Sequence, residues 1–268
     1  YINIMLSIRN FNCLCLNILI ISVVFFYSFS CLLANDDKNQ HKLNDIPSQC
    51  KNSLGWYDDH PGYIGEFNRI LEYCKQYAKD VSPEGFEVNP ILSDFGSMSG
   101  VNTRPRDTIH QGIDIIGFKN QPIIAIADGK VLETIVEDCW GATIVIDHGK
   151  ALDGKNLIAI YGHVGEFKVS ENDIVKRGDV IAKLPIKVKY RCMARVRHLH
   201  LQIGQEYCEK KDNWGCKYFI KDFYRSLDPH KYWANGPNNI SCYEKDKSFK
   251  EGVITYPFEC DKRVELPK

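Results

Sequence analysis

The stretch RHLHLQIG, residues 197–204, has the apolar content of a buried strand and yet contains two histidines. Side chains two positions apart on a strand point to the same face. His198 and His200 therefore share one face, and Leu199 and Leu201 occupy the other. Because such short motifs also arise by chance, an ordinary polar strand face stays an alternative until other residues indicate a site.

The segments that precede this stretch are also short apolar runs separated by turn residues. Strands arrive about every ten residues without an intervening helix, and Asp128-Gly129 predicts a hairpin turn within residues 122–136. A further bend is predicted at residues 176–179. This pattern predicts a mostly β protein, either a compact antiparallel β-sandwich or an open barrel.

An apolar run further upstream, TIHQGIDIIG (108–117), contains His110 and Asp114. Their separation is even, so on a strand they would also share a face, and the surrounding isoleucines favour a strand. Together with His200 they provide two imidazoles and one carboxylate, the composition of a catalytic zinc site with one open position. A single carboxylate leaves the metal positively charged, so that it can polarise a carbonyl and acidify a bound water.

Two further histidines suit proton transfer beside such a metal. His163 ends a predicted strand in YGHVG (161–165), and His198 shares the strand face of His200. One imidazole can accept the proton of the water, and the other can donate to the oxyanion or to the leaving amine. His163 and His198 are therefore candidate catalytic residues.

The N-terminal part of the chain predicts export. Residues 13–34 are apolar, Arg9 precedes them and charged residues follow, which is the layout of a secretory signal. The segment is also long enough to span a bilayer, so an uncleaved membrane anchor is the alternative, and lipid attachment at Cys31 is a weaker one. Lysine plus arginine equals aspartate plus glutamate at 34 each, so no net basic charge indicates a nucleic-acid partner.

Eight of the eleven cysteines lie outside the export segment. An even number in an exported chain predicts disulfides, and the absence of a CxxC pair argues against a thiolate zinc site. Pairing of sequence neighbours predicts bridges between residues 50 and 74, 208 and 216, and 242 and 260, which leaves Cys139 with Cys192.

The order of these motifs resembles one known family. HxxxD at 110–114, ADGKV, IVIDHG, YGHV, VKRGDVIAKL and HLH follow one another within about residues 92–204. This order is similar to that of the lysostaphin-type (LytM-domain) zinc endopeptidases of bacterial cell walls. The resemblance implies a compact antiparallel β fold with a groove, and one zinc ion per chain. It implies that the zinc is held by His110, Asp114 and His200, with His163 and His198 as the catalytic pair.

The sequence departs from the family pattern before HLH, where it has the basic stretch PIKVKYRCMARVR (185–197). Its cations either meet carboxylates of a peptide substrate or belong to a solvated loop that Cys192 pins. They are Lys187, Lys189, Arg191, Arg195 and Arg197. Trp140 is expected to form a groove wall, with a core position as the alternative, and His148 is expected to be structural.

We therefore expect four parts: an export segment (1–35), a polar linker with a short amphipathic helix at 65–80 (36–88), a LytM-type zinc peptidase domain (89–208) and a Cys-rich C-terminal extension packed on it (209–268). The expected function is hydrolysis of peptide bonds of peptidoglycan stems or cross-links through a zinc-activated water, in the periplasm or cell envelope. The alternative is a non-catalytic LytM-fold protein that binds the wall or activates an amidase. A biotinyl- or lipoyl-type carrier module is a third reading, which gives no reason for the histidine motifs.

Overall fold

The computed structural model describes residue 83 and residues 85–102, 104–206 and 225–262, apart from the side chains of Glu137 and Arg191. The predicted export segment, the helix at 65–80 and the predicted bridges 50–74 and 208–216 lie outside these residues. Among the described residues, no helix has the length and apolar character needed to cross a membrane.

The described chain is mostly β, as the sequence predicts, and its ladders are antiparallel. The strands are numbered in chain order: β1 (Phe86–Glu87), β2 (Ile91–Ser93), β3 (Ile113–Ile116), β4 (Pro122–Ile124), β5 (Gly129–Glu137), β6 (Gly141–Lys150), β7 (Asn156–Val164), β8 (Glu166–Phe167), β9 (Ile174–Val175), β10 (Val180–Lys183), β11 (His198–Gly204), β12 (Ser226–Leu227) and β13 (Asp261–Lys262). Short 3-10 helices occur at Arg191–Met193 and Pro229–Lys231.

The largest sheet has the strand order β2-β3-β11-β7-β6-β5-β9, and β12 pairs with the end of β11. The sheet is open and does not close into a barrel. On β11 the apolar side chains Leu199, Leu201 and Ile203 enter the main core. His198 and His200 therefore lie on the opposite face of this strand, as their spacing predicts.

A smaller sheet of order β4-β10-β8 covers the main core from the other side. Ile123 of β4 and Ile181 of β10 belong to the same apolar cluster as Leu199 and Leu201 of β11. The two sheets thus share one core, as in a sandwich. The polar face of β11 remains available for a site.

The predicted hairpin at Asp128-Gly129 is wrong. β4 and β5 flank this bend, but β4 pairs with β10 whereas β5 pairs with β6 and β9. The turn carries the chain from the small sheet to the large one, because burial of Ile123 and Val131 in one core favours two facing layers over a local ribbon. The bend at 176–179 is confirmed and connects the same two sheets in the reverse direction.

The described part of the C-terminal extension contributes to the main core. Trp233, Tyr256 and Phe258 are almost fully buried and belong to its apolar cluster. A disulfide between Cys242 and Cys260 closes this segment and confirms one predicted pair.

Candidate metal centre

His110 lies in the loop before β3, so the expectation that it shares a strand with Asp114 is wrong. The loop instead approaches β11 closely at Gly112, where a Cβ atom would lie 2.5 Å from the main-chain oxygen of Leu201. Only glycine permits this approach, which brings the His110 ring beside His200. Asp114 is on β3 directly opposite His200 of β11.

Three side-chain atoms converge at this point. Nε2 of His110 lies 3.1 Å from Nδ1 of His200, and both nitrogens face Oδ1 of Asp114 at 3.2 and 2.8 Å. For a tetrahedral zinc ion with bonds of about 2.0–2.1 Å, neighbouring ligand atoms are about 3.3 Å apart. The observed separations are therefore close to the edges of one such tetrahedron. Among the described residues, this trio is a group that could hold a metal ion.

The outer hydrogen bonds show that lone pairs point into the centre. Nδ1 of His110 lies 2.9 Å from the main-chain oxygen of Asp94, and Nε2 of His200 lies 3.1 Å from Oε1 of Gln202. Both partners are acceptors, so these nitrogens carry the protons of the neutral rings. Nε2 of His110 and Nδ1 of His200 are then unprotonated, as metal ligands must be.

Burial and charge fix the protonation states of the group. Burial lowers the pKa of His200 below its ordinary value, so the ring is neutral at pH 7. Burial raises the pKa of Asp114, but the neighbouring His110 and His198 outweigh it and hold this pKa well below the ordinary value. Two neutral imidazoles and one carboxylate suit a divalent cation and leave it with net positive charge.

Two other histidines flank the group with one free nitrogen each. His198 donates from Nδ1 to the main-chain oxygen of Val196 at 2.8 Å, and His163 donates from Nδ1 to that of Trp140 at 2.7 Å. Their Nε2 atoms therefore carry the lone pairs. The two ring centroids are 4.7 Å apart, and Nε2 of His198 is 3.7 Å from Oδ1 of Asp114.

Burial lowers the pKa of both flanking histidines, and for His163 the neighbouring His198 and His200 lower it further. Both rings are neutral at pH 7 and can accept a proton.

A bulge in β7 turns His163 towards this site. Ala142 pairs with Val164 but Ile144 pairs with Tyr161, so two residues of β7 oppose one residue of β6. His163 has the left-handed φ of 65°. Tyr161 and Val164 both enter the core, whereas regular alternation would send His163 there as well. The irregular backbone thus exchanges a core position for a position beside His198.

The site opens into a cleft of about 470 Å³. Trp140 forms one wall, because its ring lies 4.7 Å from the His200 ring and 5.4 Å from the His163 ring between centroids. This favours the wall over a core position. The predicted disulfide between Cys139 and Cys192 is present beside Trp140 and fixes the basic loop against this wall.

The opposite wall carries residues that the sequence reasoning missed. Arg104 and Arg106 line the cleft, and Nη2 of Arg106 lies 2.6 Å from Oδ2 of Asp114. Nothing in the local sequence indicates this contact. Gln202 was also missed, although its position two residues after His200 on the same strand face would have indicated it.

The other predicted roles have mixed outcomes. Arg197 is not a groove cation, because it is buried and donates to the main-chain oxygens of Pro185 and Ile186. Its stem packs inside, and its guanidinium holds the start of the basic loop. Lys187 and Lys189 are exposed. His148 binds the Tyr161 hydroxyl at 2.9 Å and the oxygen of Asp128 at 3.0 Å, as a structural histidine does.

Comparison with solved structures found three bacterial-type peptidase domains among the matches. LytU is 24% identical, with 57% of this chain and 88% of that chain covered and a TM-score of 0.39. The catalytic domain of the antimicrobial peptidase lysostaphin from Staphylococcus simulans is 18% identical, with coverages of 54% and 89% and a TM-score of 0.34. A mutant catalytic domain of the prophage-encoded M23 protein EnpA from Enterococcus faecalis is 24% identical, with coverages of 46% and 86% and a TM-score of 0.35.

A comparison of the sequence with curated proteins gave no match. Residues 108–212 match the sequence profile of Peptidase family M23. The matched segment contains the three candidate metal ligands and both flanking histidines. This match confirms the resemblance of the central part of the chain to LytM-type peptidases that the order of its motifs predicted.

Proposed function

We propose that this protein is an exported zinc metalloendopeptidase that hydrolyses peptide bonds in the stems or cross-links of peptidoglycan. The observation that carries the proposal is the convergence of three unprotonated acceptors, with separations of 2.8–3.2 Å, in a cleft between two neutral imidazoles. A wall-binding relative without activity would need neither the ligands nor the flanking pair. The match to Peptidase family M23 supports the reaction class.

His110, Asp114 and His200 would hold one zinc ion per chain, and three nitrogen and oxygen ligands leave one position open. Zinc bound there supplies Lewis acidity, which polarises a peptide carbonyl and acidifies a water. Arg106 holds the second oxygen of Asp114, so the carboxylate presents Oδ1 to the centre.

His163 and His198 would divide the proton transfers. Each ring has its Nδ1–H fixed on a main-chain oxygen, which orients Nε2 towards the cleft and prevents the ring from turning. A neutral imidazole can accept the proton of the attacking water at Nε2 and, once charged, donate it to the leaving amine or stabilise the oxyanion. The lowered pKa of His163 makes its protonated form a strong acid, which suits donation.

The cleft also indicates the charge of the substrate. Arg104 and Arg106 line it. Lys187 and Lys189 lie exposed on the loop that the Cys139–Cys192 disulfide pins beside the Trp140 wall. A peptide with free carboxylates, such as a peptidoglycan stem, complements these cations.

Two disulfides among the described residues support an oxidising compartment, which agrees with export to the periplasm or cell envelope. Retention of the N-terminal segment as a membrane anchor is the alternative to its removal.

Digestion of isolated sacculi by the purified protein tests the proposal, with mass spectrometry of the released fragments. We expect muropeptide fragments with a newly formed amine and carboxylate, and no release after chelation of the metal. The His163→Ala variant should bind zinc and release nothing. Zinc binding by the wild type without any cleavage would instead support the wall-binding or amidase-activating alternative.

A further inference from the structure

The outer nitrogen of His110 is connected to the C-terminal part of the chain. Nδ1 of His110 contacts the main-chain oxygen of Asp94 at 2.9 Å, and Oδ1 of Asp94 contacts Nε2 of His230 at 2.8 Å. His230 lies in the 3-10 helix Pro229–Lys231, which follows β12. One residue therefore separates a candidate metal ligand from this helix.

The direction of these hydrogen bonds follows from Trp233. Its indole Nε1 can only donate, and it lies 3.0 Å from Nδ1 of His230. Nδ1 of His230 is thus the acceptor, and the proton of the neutral ring is on Nε2, which donates to Asp94. Asp94 forms the turn that precedes His110, since its main-chain oxygen also accepts from the amide of Ser97 at 3.1 Å. Fixing the Asp94 side chain therefore fixes the oxygen that orients His110.

The outer nitrogen of His200 is connected to the same part of the chain by different residues. Nε2 of His200 contacts Oε1 of Gln202 at 3.1 Å, and Nε2 of Gln202 donates to Oγ of Ser226 at 3.1 Å. Ser226 is held beside β11 because β12 pairs with it, with Ser226 opposite Gly204. Gln202 and Ser226 are both buried, so water does not compete easily for these bonds.

We propose that residues 225–233, which we term the C-terminal clamp, position both histidine ligands of the metal centre, His230 through Asp94 and Ser226 through Gln202. The clamp lies outside the segment that matches the family profile. The inference rests on the proposed zinc site and deepens it, because it assigns the outer contacts of two ligands to a separate part of the chain. His230 and Ser226 are positioning residues and touch no reacting atom.

Outer contacts of this kind fix the tautomer and the orientation of a ligand ring before the metal binds. Their removal typically costs about 10–100-fold in metal affinity. His230 and Ser226 act through one intermediate residue, so we place each at the lower end, about tenfold. The two routes share no residue and reach different ligands, so their effects should multiply.

The test measures the zinc dissociation constant of the full chain by competition with a chelator of known affinity. We compare the wild type with His230→Leu, Ser226→Ala and the double variant. Each single change should weaken zinc binding about tenfold and the double change about a hundredfold. His230→Gln keeps an N–H donor and should stay within about threefold of the wild type. Unfolding of each metal-free variant is followed in parallel, which identifies any variant that binds weakly only because it is unfolded.

Tyr232→Phe is the matched control within the clamp. The Tyr232 hydroxyl contacts Asp153 at 3.2 Å, a contact that reaches neither histidine ligand. Its removal should leave the zinc affinity unchanged. Wild-type protein that binds one zinc while both single variants bind it equally tightly overturns the clamp and leaves the proposed function intact. Wild-type protein that binds no zinc overturns the proposed function, and the clamp with it.

Discussion

Nη2 of Arg106 lies 2.6 Å from Oδ2 of Asp114, on the carboxylate oxygen that does not face the two histidines. The pair divides the carboxylate into one oxygen that is held by the protein and one that is presented to the centre. Arg106 is anchored through its own amide, which donates to the main-chain oxygen of Met98 at 2.8 Å. The side chain of Arg106 is only 26% exposed, so its contact is shielded from solvent more than that of a surface pair.

Replacement of Arg106 by methionine should lower kcat/KM on a peptidoglycan peptide by about 10–100-fold, because Asp114 loses the contact that orients it. Lysine at this position keeps the charge without the planar fork and should restore part of the rate. Lys247→Met removes an exposed cation paired with Glu244 and serves as the control. Full activity of Arg106→Met would show that Asp114 needs no outside support.

His163→Ala and His198→Ala should each reduce turnover by about 10²–10⁴-fold, the range for loss of a general acid or base. Neither residue belongs to the converging trio, so both variants should still bind one zinc ion, measured by metal analysis after dialysis. Loss of zinc in either variant would move that residue from proton transfer to metal binding. Unchanged turnover would remove it from the mechanism.

Zinc should stabilise the folded protein. A ligand that binds only the folded state at about 100 times its dissociation constant adds about 2.7 kcal/mol to the free energy of unfolding. Urea unfolding with chelator and with defined free zinc measures this difference. His200→Ala should unfold at the same urea concentration in both conditions, since one of the three ligands is absent. A zinc-dependent shift of equal size in this variant would place the metal elsewhere.

His148 should make the fold sensitive to acid. Burial lowers its pKa from about 6.5 to about 4, although the hydrogen bond to Asp128 opposes the shift. The folded state therefore disfavours the charged ring. Its contribution to stability is present above pH 6.5 and is lost as the pH falls towards 4.

Between pH 7.5 and 5 the loss for one such group is about 2 kcal/mol. Urea unfolding of metal-free protein at these two pH values measures the loss. In His148→Gln, which cannot titrate, the decrease in stability should be smaller by this amount. An equal decrease in both proteins would mean that His148 is charged in the fold.

The Cys139–Cys192 disulfide should matter for activity as well as for stability. Replacing both cysteines by serine should cost about 2–4 kcal/mol of unfolding free energy. The bridge lies next to Trp140, and Cys192 itself lines the cleft, so turnover should also fall. The Cys242–Cys260 pair lies outside the cleft and provides the control: its removal should lower stability and spare turnover of the folded protein. Equal turnover losses for both pairs would contradict a specific role for the first.

Much of the site could be predicted because strand periodicity is a local property. The spacing of His198 and His200 fixes their common face, and the structure keeps it. Two disulfides could be predicted because sequence neighbours pair easily and a remaining pair is then determined. Gln202 follows from the same periodicity.

The failures depend on interactions between distant parts of the chain. His110 reaches the site from a loop because Gly112 lets that loop touch β11, and no local pattern reports such an approach. The bulge at His163 is a register difference between β6 and β7, which only the paired strands define. Arg197 resembles its basic neighbours in sequence, and only the two carbonyls it binds distinguish it from exposed Lys187.

The alternation along β11 couples the accuracy of catalysis to the accuracy of folding. If this strand slipped by one residue against β3 and β7, the leucines would be solvated and the imidazoles would be trapped among aliphatic side chains. The misaligned state is penalised by the whole apolar layer, far more strongly than by the metal site alone. Selection for a well-packed interior would therefore preserve the spacing of the reactive groups even in chains that never encounter zinc during synthesis.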